Sequence, residues 1–206
     1  MKQIGWLGAV LAASLAGCGG GGGGDVPAPL PAPPTALHLS GYGGAWEGAC
    51  DDHVRETVSI ALSPTSSEVL TLNTRQDYYL LSGCGGPILG TVSLSTAVNA
   101  TFGGSLTAPV SLTQGATSAS IKVDNMNTVL PPYTLVASGS GVTHVVDNGV
   151  ARSCITIAGA VSACVNDNEV LPAQNRGLGL YLDGNNLYLL TPSGATFTVD
   201  HRYTKK

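Results

Sequence analysis

Apolar and polar residues take turns along this chain, and nowhere does the apolar spacing hold a helical period for three turns. Strict alternation puts one set of side chains on one face of an extended strand, so it specifies a half-buried β-sheet. Val54, Val58, Ile60 and Leu62 share such a face. Ser63 to Ser67 then predicts a turn. Val69–Leu72 and Tyr78–Leu81 read as two strands, with Gly83 to Pro87 closing their hairpin. Ile88 to Val98 reads as one strand with Val92, Leu94 and Thr96 in register. Ser118 to Val123, Val142 to Val146 and Ser153 to Ile157 alternate again. Gly179–Leu182, a turn at Asp183-Gly184-Asn185-Asn186 and Leu187–Leu190 form the clearest hairpin. Thr196 to Val199 is the last strand. Gly103 to Ala116 is undecided and leaves room for a break between two small sheets. Short strands with Gly, Pro and Asn turns predict an all-β antiparallel fold; β-sandwich and β-barrel both remain open.

The first residues follow a different logic. Met1-Lys2-Gln3 is a short, singly charged start, and Ile4 to Leu15 is a run without charge. The run is too short to span a bilayer, which needs about 20 residues, and matches the apolar region of a signal peptide. Leu15-Ala16-Gly17-Cys18 follows. This motif resembles the lipobox of bacterial lipoproteins, where small residues let the extended chain enter the peptidase and the cysteine sulfur accepts a diacylglyceryl group. The resemblance implies that residues 1–17 are a cleaved signal peptide and that Cys18 is the lipidated first residue of the mature chain. Gly19 stands where an Asp would retain a lipoprotein at the inner membrane, which implies transport to the outer membrane.

Gly19 to Gly24 is an unbroken glycine run, and alternating prolines follow from Pro27 to Pro34. The first composition gives a flexible coil and the second a stiff polyproline spacer, so residues 18–36 are expected to be a disordered tether. The folded domain is then 37–206, long enough for one real core.

Composition excludes several roles. Losing Lys2 with the leader takes the net charge from −4 to −5, and no basic patch offers itself to nucleic acid or anionic lipid. After Cys18 no segment is long and apolar enough to cross a membrane as a helix, so the lipid is the expected membrane contact. Cys50, Cys84, Cys154 and Cys164 form an even set in a chain expected to be exported, which reads as two disulfides. Of the three connectivities, Cys50–Cys84 and Cys154–Cys164 are preferred because each joins sequence neighbours. None of the four stands in a C-x-x-C pair, which argues against zinc.

Trp46, the single Trp after residue 17, sits among Gly43, Gly44, Ala45 and Gly48. Gly44-Ala45-Trp46 resembles the Gly-x-Trp of lipocalins, whose Trp closes the end of a barrel, and Gln76-Asp77-Tyr78 faintly resembles a second lipocalin motif. The expected role of Trp46 is structural, as a core anchor plugging one end of the sheet. Asp51-Asp52-His53 alternates faces and so does not converge on a metal; it is expected to be a solvated loop. Asn166-Asp167-Asn168-Glu169 is expected to be a polar turn. No Gly-x-Ser-x-Gly elbow, H-E-x-x-H, phosphate loop or dinucleotide fingerprint occurs. His38, His53, His144 and His201 stand isolated in sequence, with His144 expected to face solvent. No catalytic residue, metal site or cofactor is assigned. The expected function is a non-enzymatic binding or envelope-structural β-domain, with a lipocalin-like carrier of a small apolar ligand as the alternative. The interior of the sheet decides between them: filled, hollow or clefted.

Overall fold

The computed structural model describes residues 38–112 and 117–206. The leader, Cys18 and the tether lie outside the described residues. Within them the alternation produces thirteen strands: β1 (Gly44–Asp51), β2 (Val54–Ser63), β3 (Ser66–Leu81), β4 (Gly85–Leu94), β5 (Val98–Ser111), β6 (Ala119–Leu130), β7 (Leu135–Ser138), β8 (Val142–Asp147), β9 (Val150–Ile157), β10 (Ala160–Asn166), β11 (Gln174–Asp183), β12 (Asn186–Ser193) and β13 (Thr196–Lys205). The fold is all-β.

Ten strands share one sheet, and its extra pairings β3–β5 and β12–β13 close it. Following neighbours around gives β1, β2, β3, β5, β6, β11, β12, β13 and back to β1, with every step antiparallel. This is an eight-stranded barrel in chain order. Closure removes the exposed edges that an open sheet would present. The interior positions are the alternating ones: Trp46, Val58, Ile60, Leu70, Leu72, Ala100, Met126, Leu180, Leu187 and Tyr203, with Leu39 and Tyr42 from the segment before β1.

β3 is one strand, where the sequence suggested two runs. Its length lets two partners lie end to end along one side: β4 pairs with Arg75–Leu81 and β5 with Val69–Leu72. The expected single strand Ile88–Val98 is therefore broken after Leu94. At the break the amide of Ser95 leaves β3 and bonds the carbonyl of Thr134, while Ser95 Oγ accepts from the Thr134 amide. Nothing in residues 88–98 announces that exchange, since Thr134 is distant in sequence.

The described part of the undecided stretch, residues 103–112, does not separate two sheets either, and residues 113–116 lie outside the described residues. Gly103 and Gly104 lie inside β5 at a bulge against β6, and Gly104 has φ +112°, a conformation that side chains resist. Past this bend the β5–β6 hairpin forms a second apolar cluster, in which Ala108, Val110 and Val123 pack with Tyr188, Leu190 and Phe197. A short parallel pairing of Val110 and Ser111 with Phe197 and Thr198 fixes the end of β5 to β13.

Between β6 and β11 the chain inserts β7 to β10. β7 extends the large sheet beside β4, and β8, β9 and β10 form a separate three-stranded sheet. Ile155, Ile157 and Val165 of that sheet bury against Tyr78 and Val92. The preferred disulfides are those present. Cys50–Cys84 joins the end of β1 to the turn after β3, and Cys154–Cys164 ties β9 to β10 as directly paired residues.

Candidate functional site

The barrel interior is filled. Its largest fully buried side chains include Trp46, Tyr203, Leu39, Leu70, Met126, Leu180 and Leu187. Trp46 is 1% exposed, and its Nε1–H donates to the carbonyl of Tyr42 at 2.9 Å. The indole thus fills apolar space and holds the Ser40–Tyr42 turn by one hydrogen bond. Gly43 and Gly48 pass close to backbone: a Cβ on either would lie 3.2–3.3 Å from a carbonyl oxygen. The small residues around Trp46 therefore serve close packing.

The Tyr42 hydroxyl of that turn reaches a buried carboxylate of the barrel. Asp124, on β6, is 3% exposed. Its Oδ2 receives the Tyr42 hydroxyl at 2.5 Å and His38 Nε2 at 2.6 Å, and its Oδ1 receives Ser105 Oγ at 2.6 Å. Three strands' worth of chain meet here: the segment before β1, the bend of β5, and β6. Burial, and then the bond to Asp124, push the Tyr42 hydroxyl far above its ordinary range, so it stays a donor. A small concavity of about 270 Å³ opens beside this carboxylate, lined by His38, Tyr42, Lys122, Asp124, Tyr181 and Leu182. Asp124 carried no signal in sequence beyond being a charge within an alternating strand.

A second, wider concavity of about 420 Å³ lies on the outer face of β1–β4. The register sets Glu47, Thr57, Arg75 and Ser93 in one row across four strands, with Ala45, Ser59 and Asn73 beside it. Glu47 pairs with Arg55 Nη1 at 3.2 Å and Lys206 Nζ at 2.7 Å, and the Lys206 bond chiefly holds its carboxyl below the usual range. Arg75 Nε lies 3.2 Å from both oxygens of buried Asp77 and also donates to Thr57 Oγ1 at 3.1 Å. Cations and carboxylates alternate here and compensate one another.

The four histidines are isolated in sequence but not in space; each lies near a carboxylate. His38 meets Asp124, His53 is 3.7 Å from Asp52, His144 is 3.8 Å from Asp167, and His201 lies 3.4 Å from both Glu56 and Asp200. Asp52 and Asp200 are the chain neighbours of their histidines, whereas folding brings Asp124 to His38, Asp167 to His144 and Glu56 to His201 from distant positions that sequence spacing does not reveal. The bond to Asp200 is the main cause that raises His201 above its ordinary value, and the same bond lowers Asp200.

His144 is exposed, as expected, but belongs to a Ser-His-Asp contact. Ser153 Oγ donates to Asp167 Oδ1 at 2.6 Å and lies 3.0 Å from His144 Nδ1. In a hydrolytic triad the serine proton goes to imidazole Nε2 and the carboxylate binds Nδ1–H. Here the serine sits between the other two, is 5% exposed and spends its proton on the aspartate. The arrangement orients a histidine; it does not activate a serine. Asp51 and Asp52 end β1 at a turn where Asp52 takes φ +55°. Asn166–Glu169 is a polar turn closed by Asn166 Nδ2 donating to Glu169 Oε2 at 2.8 Å. Among the described residues no three His, Cys, Asp or Glu side chains gather as a metal site would require. No family model, curated protein or solved structure matches this chain.

Proposed function

We propose that the chain is an outer-membrane lipoprotein, anchored through acyl groups on Cys18, whose β-domain is a non-enzymatic binding or structural module of the cell envelope. The filled interior of the closed barrel carries the reading of the domain. Trp46, Met126, Leu180 and Tyr203 occupy the space a carrier would keep for its ligand, and Leu39 and Tyr42 pack into the same core. Such a domain works through its surface, and both concavities described above are open to solvent. Two disulfides suit an oxidising compartment. The anchor is tested by growth with labelled palmitate. The wild-type chain should take up label and fractionate with outer membranes, and Cys18→Ser should take up none and persist as uncleaved precursor. Unmodified Cys18 in the native protein would refute the anchor.

A lipocalin-like carrier is the second reading, favoured by the eight-stranded ring and by Trp46 in its core. Native mass spectrometry of protein taken from envelopes separates the two. A copurifying apolar molecule, lost on mild denaturation, would establish the carrier.

A further inference from the structure

β8 leaves one side of its backbone unpaired. Among the described residues it pairs with β9 alone, whereas β10, at the other side of the small sheet, lies beside β7. The two-residue turn Asn148-Gly149 makes Asp147 and Val150 the hydrogen-bonded pair that closes the hairpin. Such pairs alternate along an antiparallel ladder, so Thr143, Val145 and Asp147 aim their amides and carbonyls at β9, and His144 and Val146 aim theirs outward. The Thr156 amide bonds the Gly141 carbonyl at 3.1 Å, which continues the same alternation. Natural edge strands are blunted by lysine, proline or a bulge. β8 carries none of these: it reads Val-Thr-His-Val-Val-Asp, and its register against β9 does not shift. Its side chains face water too. Val146 is 75% exposed, more than any other large aliphatic side chain among the described residues, and Val145 is 42% exposed.

We propose that β8 pairs antiparallel with β8 of a second copy, joining two small sheets into one of six strands across a two-fold axis. The register follows from the groups left over. The Val142 amide is already bonded to the Gly139 carbonyl at 3.3 Å, so His144 and Val146 are the residues with both groups free. An axis through Val145 sets His144 opposite Val146 of the second copy, and the four bonds that form use both groups of both residues in each copy. An axis through His144 would set Val146 against the spent amide of Val142. The first register also brings Val145 against Val145 of the second copy, in the closer kind of cross-strand pair. Asp147, the one carboxylate of the strand, is held by Arg152 at 2.9 Å and comes opposite Thr143, so no like charges meet. One stretch of chain thus supplies both sides of the contact, which makes the occupant a second copy. This pairing goes beyond the binding reading above and depends neither on the lipid anchor nor on either concavity.

The test follows the full chain in neutral detergent by sedimentation velocity over about 1 µM to 1 mM, because one strand pair is a small contact beside the roughly 1,200–2,000 Å² of standard interfaces. A reversible monomer–dimer equilibrium is expected. Val146→Pro deletes one outward amide in each copy, hence two of the four bonds, and leaves the bonds to β9 in place. It should weaken the dimer at least about tenfold without lowering the melting temperature of dilute protein. Val146→Lys, which puts a charge on the edge, should act in the same way and serves if proline disturbs the hairpin. On mild oxidation Val145→Cys should give a disulfide-linked dimer, much faster than Val161→Cys, which places an equally accessible thiol on β10. A chain that stays monomeric over the whole range, a dimer unweakened in a folded Val146 variant, or equal linking of the two cysteine variants overturns the pairing.

Discussion

Replacing Trp46 by Ala separates a structural tryptophan from a ligand-contacting one. The side chain is 1% exposed and belongs to the barrel core with Val58, Leu70, Met126 and Tyr203. Removing a fully buried Trp costs about 3–5 kcal/mol in lost burial and residual cavity. The truncation also strips the donor from the Tyr42 carbonyl, worth a further ~1 kcal/mol if water does not replace it. A total of roughly 4–6 kcal/mol is a large part of the 5–15 kcal/mol that holds most domains folded. At about 2–4 °C per kcal/mol for a chain of this size, the melting temperature should fall by roughly 8–24 °C. The assay is thermal and urea unfolding followed by far-ultraviolet circular dichroism, with both disulfides kept oxidised. Trp46→Phe keeps most of the apolar volume and should lose roughly 1–2 kcal/mol. A Trp46→Ala protein that melts within about 2 °C of wild type, at most about 1 kcal/mol of change, would refute the core-anchor argument and move Trp46 to a ligand surface.

Asp124→Ala leaves the buried Tyr42 hydroxyl without its acceptor and should cost about 2–3 kcal/mol, whereas Asp124→Asn keeps one accepting oxygen and should cost less; urea unfolding ranks them, and equal effects would mean the carboxylate is not the organising group. His201 has a raised value in the folded state, so its pair with Asp200 stabilises fully below about pH 6.5 and the contribution disappears as pH rises through the raised value. His201→Gln should therefore lower the melting temperature at pH 5.5 and much less at pH 9; a loss independent of pH would contradict this. Ala158 occupies φ +49° in the two-residue turn between β9 and β10, and Ala158→Gly should stabilise by up to about 1 kcal/mol in the same unfolding assay, with no gain showing the turn to be unstrained. Peptide mapping without reductant should recover Cys50 linked to Cys84 and Cys154 linked to Cys164, and four free thiols in envelope-derived protein would overturn the oxidised scaffold.

What the sequence made legible was local. Val58, Ile60 and Leu62 alternate against a single core, and the 179–190 hairpin pairs Leu182 with Leu187 and Asp183 with Asn186 around the turn it announces. Both disulfides join neighbours in sequence, so proximity alone ranked them. The Asp147-Asn148-Gly149-Val150 turn between β8 and β9, with Asn148 and Gly149 both at positive φ, is an equally local Asn-Gly hairpin. Long-range choices were not legible. β3 trading β5 for β4 along one side depends on Thr134 taking the amide of Ser95. His38 and Asp124 are 86 residues apart, and a buried Asp in an alternating strand looks like any solvent-facing charge until its three donors arrive. The barrel itself was undetermined against the sandwich because closure is a property of β1 meeting β13, which no local pattern encodes.

That closure governs how the molecule can be made. The wall is sealed only when Trp46 finds Lys205 and Gly48 finds Tyr203, across almost the whole domain. Until the last strand arrives, β1 and β12 present open edges and the half-built core is wet. Contacts this distant along the chain slow folding, because the entropy of the intervening loop is lost before the pairing repays it. The Cys50–Cys84 link, by contrast, needs only β1 to β3 and the turn that follows, and is free to form early. Assembly should thus proceed as a stapled N-terminal meander waiting for a C-terminal strand, and the waiting period is when this protein is most exposed to aggregation and proteolysis.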